Sequence, residues 1–218
     1  MTDKIPLKEP EPMWPSLIAM ASAGVLFAAM PVSLSFGPPW AVFGVVIALL
    51  LPGEIFHAVG KHKFCKILGY VVISIVTIAM IGSVVLLLRA IPKHEVDPVR
   101  LLQSATALWV SNILIFAVWY WRLDAGGPHK RNMREEHNDG AFLFPQMTID
   151  GLTDDPDELK NWQPHFVDYL FLAFNTSTAL SPTDVPVLSR WAKGLMMIQA
   201  TISLTVVGVL AARAVNIL

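Results

Sequence analysis

Residues 67–91, ILGYVVISIVTIAMIGSVVLLLRAI, hold no charged side chain before Arg89. That run decides the class of fold. It is rich in valine and isoleucine, which suit strands, but ordinary strands are only about 5–6 residues long. As a helix, about 20 apolar residues cross a hydrocarbon core about 30 Å thick. The reading is a transmembrane helix that stops at Pro92. Composition agrees: of 218 residues, 54% are hydrophobic and 15% are charged, against about 25% charged in soluble domains. The chain is therefore expected to be an all-α integral membrane protein. A net charge of −1 gives no sign of a nucleic-acid partner. With one cysteine, Cys65, there is no intramolecular disulfide framework.

Similar runs lie on both sides. One covers Trp14 to Phe36 and ends in Gly37-Pro38-Pro39; the next covers Trp40 to His57 and is closed by GKHKFCK. Another covers Val99 to Trp121 and finishes in the aromatic belt Trp119-Tyr120-Trp121, and the last covers Trp191 to Leu218. The mixed acids, lysines and prolines of residues 1–13 read as a disordered tail rather than a cleavable leader. The expected organisation is that tail, a four-helix membrane region over 14–121, a polar extramembrane loop over 122–164, and a terminal unit over 165–218. Within the loop HKRNMR is basic and DGLTDDPDELK acidic; the expectation is irregular backbone with a short helix after Pro156 and the acids on a solvated face. Counting lysines and arginines near the ends of five spans places the amino terminus in the cytoplasm, in an inner (plasma) membrane.

The terminal unit begins with His165 to Leu180, apolar for most of its length but short for a crossing. It fits either a re-entrant half-helix or a sixth, short span; the architecture expected is five spans with a re-entrant segment before the last. The polar stretch FNTSTALSPTD, residues 174–184, follows within it. Non-helical backbone at membrane depth persists only where it is buried in protein or lines a wet cavity. Asn175, Thr176, Ser177, Thr178, Ser181 and Thr183 therefore suit a pore loop, with hydroxyls and freed carbonyls replacing an ion's hydration. Pro182 stops the helix, and Asp184 places a carboxylate at the mouth. The same residues also suit an ordinary helix whose hydroxyls bond back to the preceding turn. Pattern leaves both open.

The order of short helix, Thr-rich turn, Asp-x-Pro and a last helix rich in small residues resembles the pore module of potassium-type channels. On that resemblance, Thr176 to Thr178 match the filter entry, Asp184-Val185-Pro186 the filter exit, and Trp191 to Asn216 the inner helix. Ala179-Leu180-Ser181-Pro182 stands where those channels carry a glycine-containing core, so the resemblance implies a weak cation preference without sharp potassium selectivity. Their filter also faces outward, whereas the charge count puts this loop inside. Most of the chain, including YWRLDAGGP, GAFLFPQ and FVDYLFLAFNTSTALSPTD, resembles a group of small bacterial inner-membrane proteins of unknown function.

Other candidates are fewer. Glu54 and His57 share one side of a helix and, with Asp168, suit a proton relay or ion site; alternatively Asp168 caps the short helix or holds an arginine such as Arg190 or Arg213. Arg213 itself is expected to meet the terminal carboxylate or lipid phosphate. Ser111 and Asn112 in the fourth span, with Gln199, Thr201, Ser203 and Thr205 in the last, are helix glue, or in a pore the cavity lining of Gln199, Thr201 and Thr205. No phosphate-binding loop, nucleophile elbow or zincin motif is present, so no enzyme, cofactor or metal is expected. The expected function is an oligomeric, tetramer-like cation channel in contact with lipid. The alternative is a non-conducting membrane subunit or a small proton-coupled transporter.

Overall fold

The computed structural model describes residues 11–35, 37–58, 62–92, 96–132, 140–148, 162–179 and 185–217, with backbone alone at 50–58, 62–63, 132 and 214–217. Among these residues the fold is all-helical, without strands. The helices are α1 (Trp14–Ala28), α2 (Trp40–Ala58), α3 (His62–Ala90), α4 (Pro98–Leu123), α5 (Pro128–Asn132), α6 (Phe166–Thr178) and α7 (Arg190–Ile217). Among the fully described residues, three stretches are long and apolar enough to cross a membrane: Phe64–Ala90, Pro98–Arg131 and Arg190–Arg213.

Local sequence explains most boundaries. Asp97 starts α4 by accepting the backbone N–H groups of Val99 and Arg100 at 3.0 and 3.2 Å, and Pro98 occupies a first-turn position where no N–H is needed. One expected boundary is corrected. The first apolar run does not continue as helix to Phe36; α1 has 15 residues and stops at Ala28. Pro31 lacks an N–H and disfavours helical backbone in the residue before it, so the chain breaks there and resumes as the short turn Val32–Leu34.

Helix α4 is the centre of the bundle, packed by α1, α3, α6 and α7. It is buried around most of its circumference, with Leu108, Ile115, Ala117, Val118, Tyr120 and Trp121 all at 0% exposure. The outer helices are one-sided. Val167, Phe171 and Phe174, spaced four and three apart along one face of α6, are exposed, as are Met197 and Leu204 on α7.

Two helices start at the same end of α4. The ring of Phe166 meets Trp121 edge-on at 5.9 Å, and the Tyr169 hydroxyl donates to Asp124 at 2.6 Å, which puts the start of α6 beside the end of α4. Phe142 joins Tyr169 to Trp191 by ring contacts at 6.2 and 6.1 Å, which puts the start of α7 there too. Both helices then run back along α4. Helix α7 continues to the far end, where Arg213 donates to the carbonyl of Ile91 at 3.0 Å. The carboxylate of Leu218, one partner expected for Arg213, lies outside the described residues. Helix α6 has only 13 residues, about 20 Å at 1.5 Å per residue, and ends beside Asn112, near the middle of α4. Val187 lies back at the starting end, where it pairs with Phe142: Leu143 N–H donates to Pro186 O at 3.0 Å and Leu188 N–H to Ala141 O at 2.8 Å.

Candidate functional site

Where α6 ends, three helices share a buried polar network. The Gln199 amide of α7 donates to the Ala173 carbonyl at 2.7 Å and to the Ser177 hydroxyl at 2.8 Å, and its oxygen accepts the Tyr120 hydroxyl of α4. Asn112 donates to the Gln199 carbonyl at 3.2 Å and to Ser177 at 3.4 Å. Ser203 donates to the Ser177 carbonyl at 2.6 Å and accepts Trp109 at 3.2 Å. Asn112, Gln199 and Ser203 are fully buried. Interhelical hydrogen bonds within membrane bundles contribute about 0.6 kcal/mol each and up to about 1.7. Several bonds meeting on one amide therefore fix both the rotation and the height of α6.

The polar residues of FNTSTALSPTD divide by helix face. Asn175, Thr176, Ser177 and Thr178 form the last turn of α6. Thr176 is buried and donates to Leu172 O at 2.8 Å; Thr178 is exposed and donates to Phe174 O at 2.9 Å. Ser181, Thr183 and Asp184 lie outside the described residues. In α7, Gln199 points inward, whereas Thr201 and Thr205 bond back to Met197 O and Thr201 O at 2.8 Å each. The three do not line one surface. Glu54 and His57 are on α2, with their side chains outside the described residues. Asp168 caps α6, accepting the His165 N–H at 2.7 Å.

A second cluster was not read from the sequence at all. Ala125, Gly126 and Gly127 all have positive φ (50, 84 and 97°) and turn the chain back beneath the end of α4. Arg131 thereby reaches the carbonyls of Trp121 and Asp124 at 3.1 and 3.3 Å, closing α4 with a cation. Its other nitrogen donates to Glu11 at 2.8 Å, and Glu11 also accepts the Trp121 indole at 2.6 Å. Asp124, at 0% exposure, accepts the Ala141 N–H and the Tyr169 hydroxyl. Within the stretch expected as a tail, the Glu11 side chain is 4% exposed, and within the stretch expected as a polar loop, that of Arg131 is 1% exposed. Burial is possible because every charge in the group has an opposite charge or a hydrogen-bond donor or acceptor in contact. The one sequence signal was the pairing of Asp124 and Arg131 across a Gly-Gly-Pro turn.

No group of three or more potential metal ligands gathers among the described residues. The chain matches no protein-family model, no curated protein and no solved structure. The functional reading therefore rests on geometry.

Two outcomes follow from these clusters. Gln199→Leu leaves the Tyr120 hydroxyl and the Ala173 carbonyl without their partner, and should cost about 2 kcal/mol or more in detergent unfolding. Thr205→Val, on the outer face, should change stability by no more than about 0.5 kcal/mol. Glu11→Ala should cost about 3 kcal/mol by leaving Arg131 without its carboxylate, with a shift in Trp121 emission reporting the lost indole bond.

Proposed function

We propose that the chain is one subunit of an oligomeric membrane pore with a weak cation preference, in which α6, the turn after it and α7 form a pore-loop module. One observation carries the reading. Helix α6 stops beside Asn112 midway along α4, while Val187 lies back at Phe142, the end from which α6 set out. A helix that enters, stops and returns is a re-entrant half-helix. Its carboxyl-terminal dipole is directed at the turn, an arrangement that favours cations. Exposed Thr178 borders the path, Ser181, Thr183 and Asp184 are the sequence candidates for the turn beyond it, and Ser177 and Gln199 hold the half-helix in place. Helices α1 and α2 complete five spans. The end carrying Lys66, Arg122 and Lys130 is cytoplasmic, so the module enters from that side.

One re-entrant loop cannot enclose a path, so closed symmetry requires a ring of subunits, four by analogy with potassium-type channels. The exposed face of α7, with Met197, Thr201 and Leu204, then meets neighbouring subunits or the pore. A second reading has its own support. The hydroxyls of Thr176, Thr178, Thr201 and Thr205 all bond to carbonyls of their own helices, as they would in a non-conducting subunit.

Two measurements separate these readings. In a Cys65→Ser background, single cysteines at positions 129, 186 and 216 are labelled from either side of sealed vesicles. A re-entrant α6 gives 129 and 186 the same sidedness and 216 the opposite one; opposite sidedness for 129 and 186 overturns it. In liposomes, the wild-type protein should pass both sodium and potassium, and Thr178→Val/Asp184→Asn should abolish flux at unchanged melting temperature. Absence of flux in the wild type, or a strictly monomeric protein in lipid, leaves the non-conducting subunit.

A further inference from the structure

Away from the polar network, an elongated groove lies open along α4. Its first part, a cavity of about 880 Å³, sits between the end of α1 and the start of α4, against Met30, Pro31, Val99, Gln103 and Ala107. Its second part, of about 440 Å³, sits between α4 and α6, against Ile113, Leu114, Val167, Phe171 and Phe174. Val110 borders both. We propose that this groove holds a phospholipid of one leaflet, with an acyl chain along α4 and the headgroup at Arg100 and Gln103. The inference holds whether or not the chain conducts.

The groove follows from the spacing and lengths of the helices. Val99, Gln103, Thr106, Val110 and Ile113 are spaced four and three apart, so they form one face of α4. Beyond Leu114 that face is closed, with Ala117 and Trp121 fully buried. Val99 to Leu114 covers about 22 Å at 1.5 Å per residue. Half of a bilayer, headgroups included, measures about 20–22 Å. The groove therefore has the depth of one leaflet. A membrane helix of a second copy crosses both leaflets, and would need the same face open to the far end of α4.

Polarity changes along the groove as it does along a phospholipid. Arg100, Gln103, Ser104 and Thr106 line the first part, close to the start of α4. Arg100 and Gln103 are exposed there and offer N–H donors to ester and phosphate oxygens. The second part is lined by apolar and aromatic side chains, and the Trp109 indole N–H already donates to Ser203. Buried water makes about three hydrogen bonds, which such walls do not supply. Left empty, the walls would lose dispersion contacts. An acyl chain restores them, and between two helices it meets more surface than on the outer side of α7, where Met197 and Leu204 stand exposed.

The test places the full chain in vesicles of phosphatidylethanolamine and phosphatidylglycerol, doped with phosphatidylcholine that carries a photoactivatable diazirine. The diazirine sits either near the ester or at the end of an acyl chain, and labelled residues are mapped by mass spectrometry. The ester-side probe should label Arg100 to Thr106, and the chain-end probe Ile113, Leu114, Phe171 and Phe174. Ala107→Trp, which fills the floor of the groove, should lose both labels and the phospholipid that the wild type retains through detergent purification. Ala211→Trp, at an exposed position of α7, should keep them. The wild-type pattern decides the matter by itself should Ala107→Trp fail to fold. The proposal is overturned if the groove is labelled no more strongly than Met197 and Leu204, if the wild type retains no phospholipid, or if a folded Ala107→Trp keeps the wild-type pattern. It is also overturned if Val110→Cys, in a Cys65→Ser background, forms a disulfide-linked dimer in lipid, which gives the groove to a second copy.

Discussion

Among apolar helices a carboxamide has no water to turn to, so its partners decide how the helices sit. Gln199 is that group here. It reaches α6 through Ala173 and Ser177, and α4 through Tyr120. A 13-residue helix is marginal by itself in water, and in lipid its Val167, Phe171 and Phe174 face supplies no drive to associate. Apolar packing leaves α6 free to slide or roll against α4 at small cost. The amide bonds do not, because a shift of one residue would strand Gln199, Ser177 and Asn112 together.

The opposite device works at the end of α4. There the chain makes a left-handed turn and returns Arg131 to the carbonyls of Trp121 and Asp124. The cation is then matched by Glu11, which also accepts the Trp121 indole. Asp124 anchors Tyr169 at the start of α6 and Ala141 in the following segment. One polar group therefore sets where α6 begins, and the other where it ends. Between them they hold the helix at fixed depth.

The helices were largely legible in the sequence because their runs are long and apolar. The third and fourth spans, and the start of the last, lie within a few residues of the helices observed, and the short helix read as 165–180 runs from Phe166 to Thr178. The first was misread in length because hydrophobicity continues past Pro31 while helical backbone does not. The clusters were harder. Asn112 and Gln199 were each visible as polar residues in apolar helices, but a single sequence carries no sign that they meet. Glu11 and Arg131 are farther apart still, and each sat in a stretch whose charge and prolines read as solvent-facing. Their burial depends on partners that only the fold supplies.

The link between residues 141–143 and 186–188 has a different character from the helix contacts. It consists of two backbone hydrogen bonds around a single isolated bridge, with the Phe142 ring wedged among Tyr120, Tyr169 and Trp191. Two such bonds contribute only about 1–3 kcal/mol together, far less than the interlocked helices. Local opening in proteins follows the weakest cooperative unit. The segment from Val185 to Leu188 is held to the bundle by that bridge and by the buried Val185 side chain, without the interlocking side chains that join α4, α6 and α7.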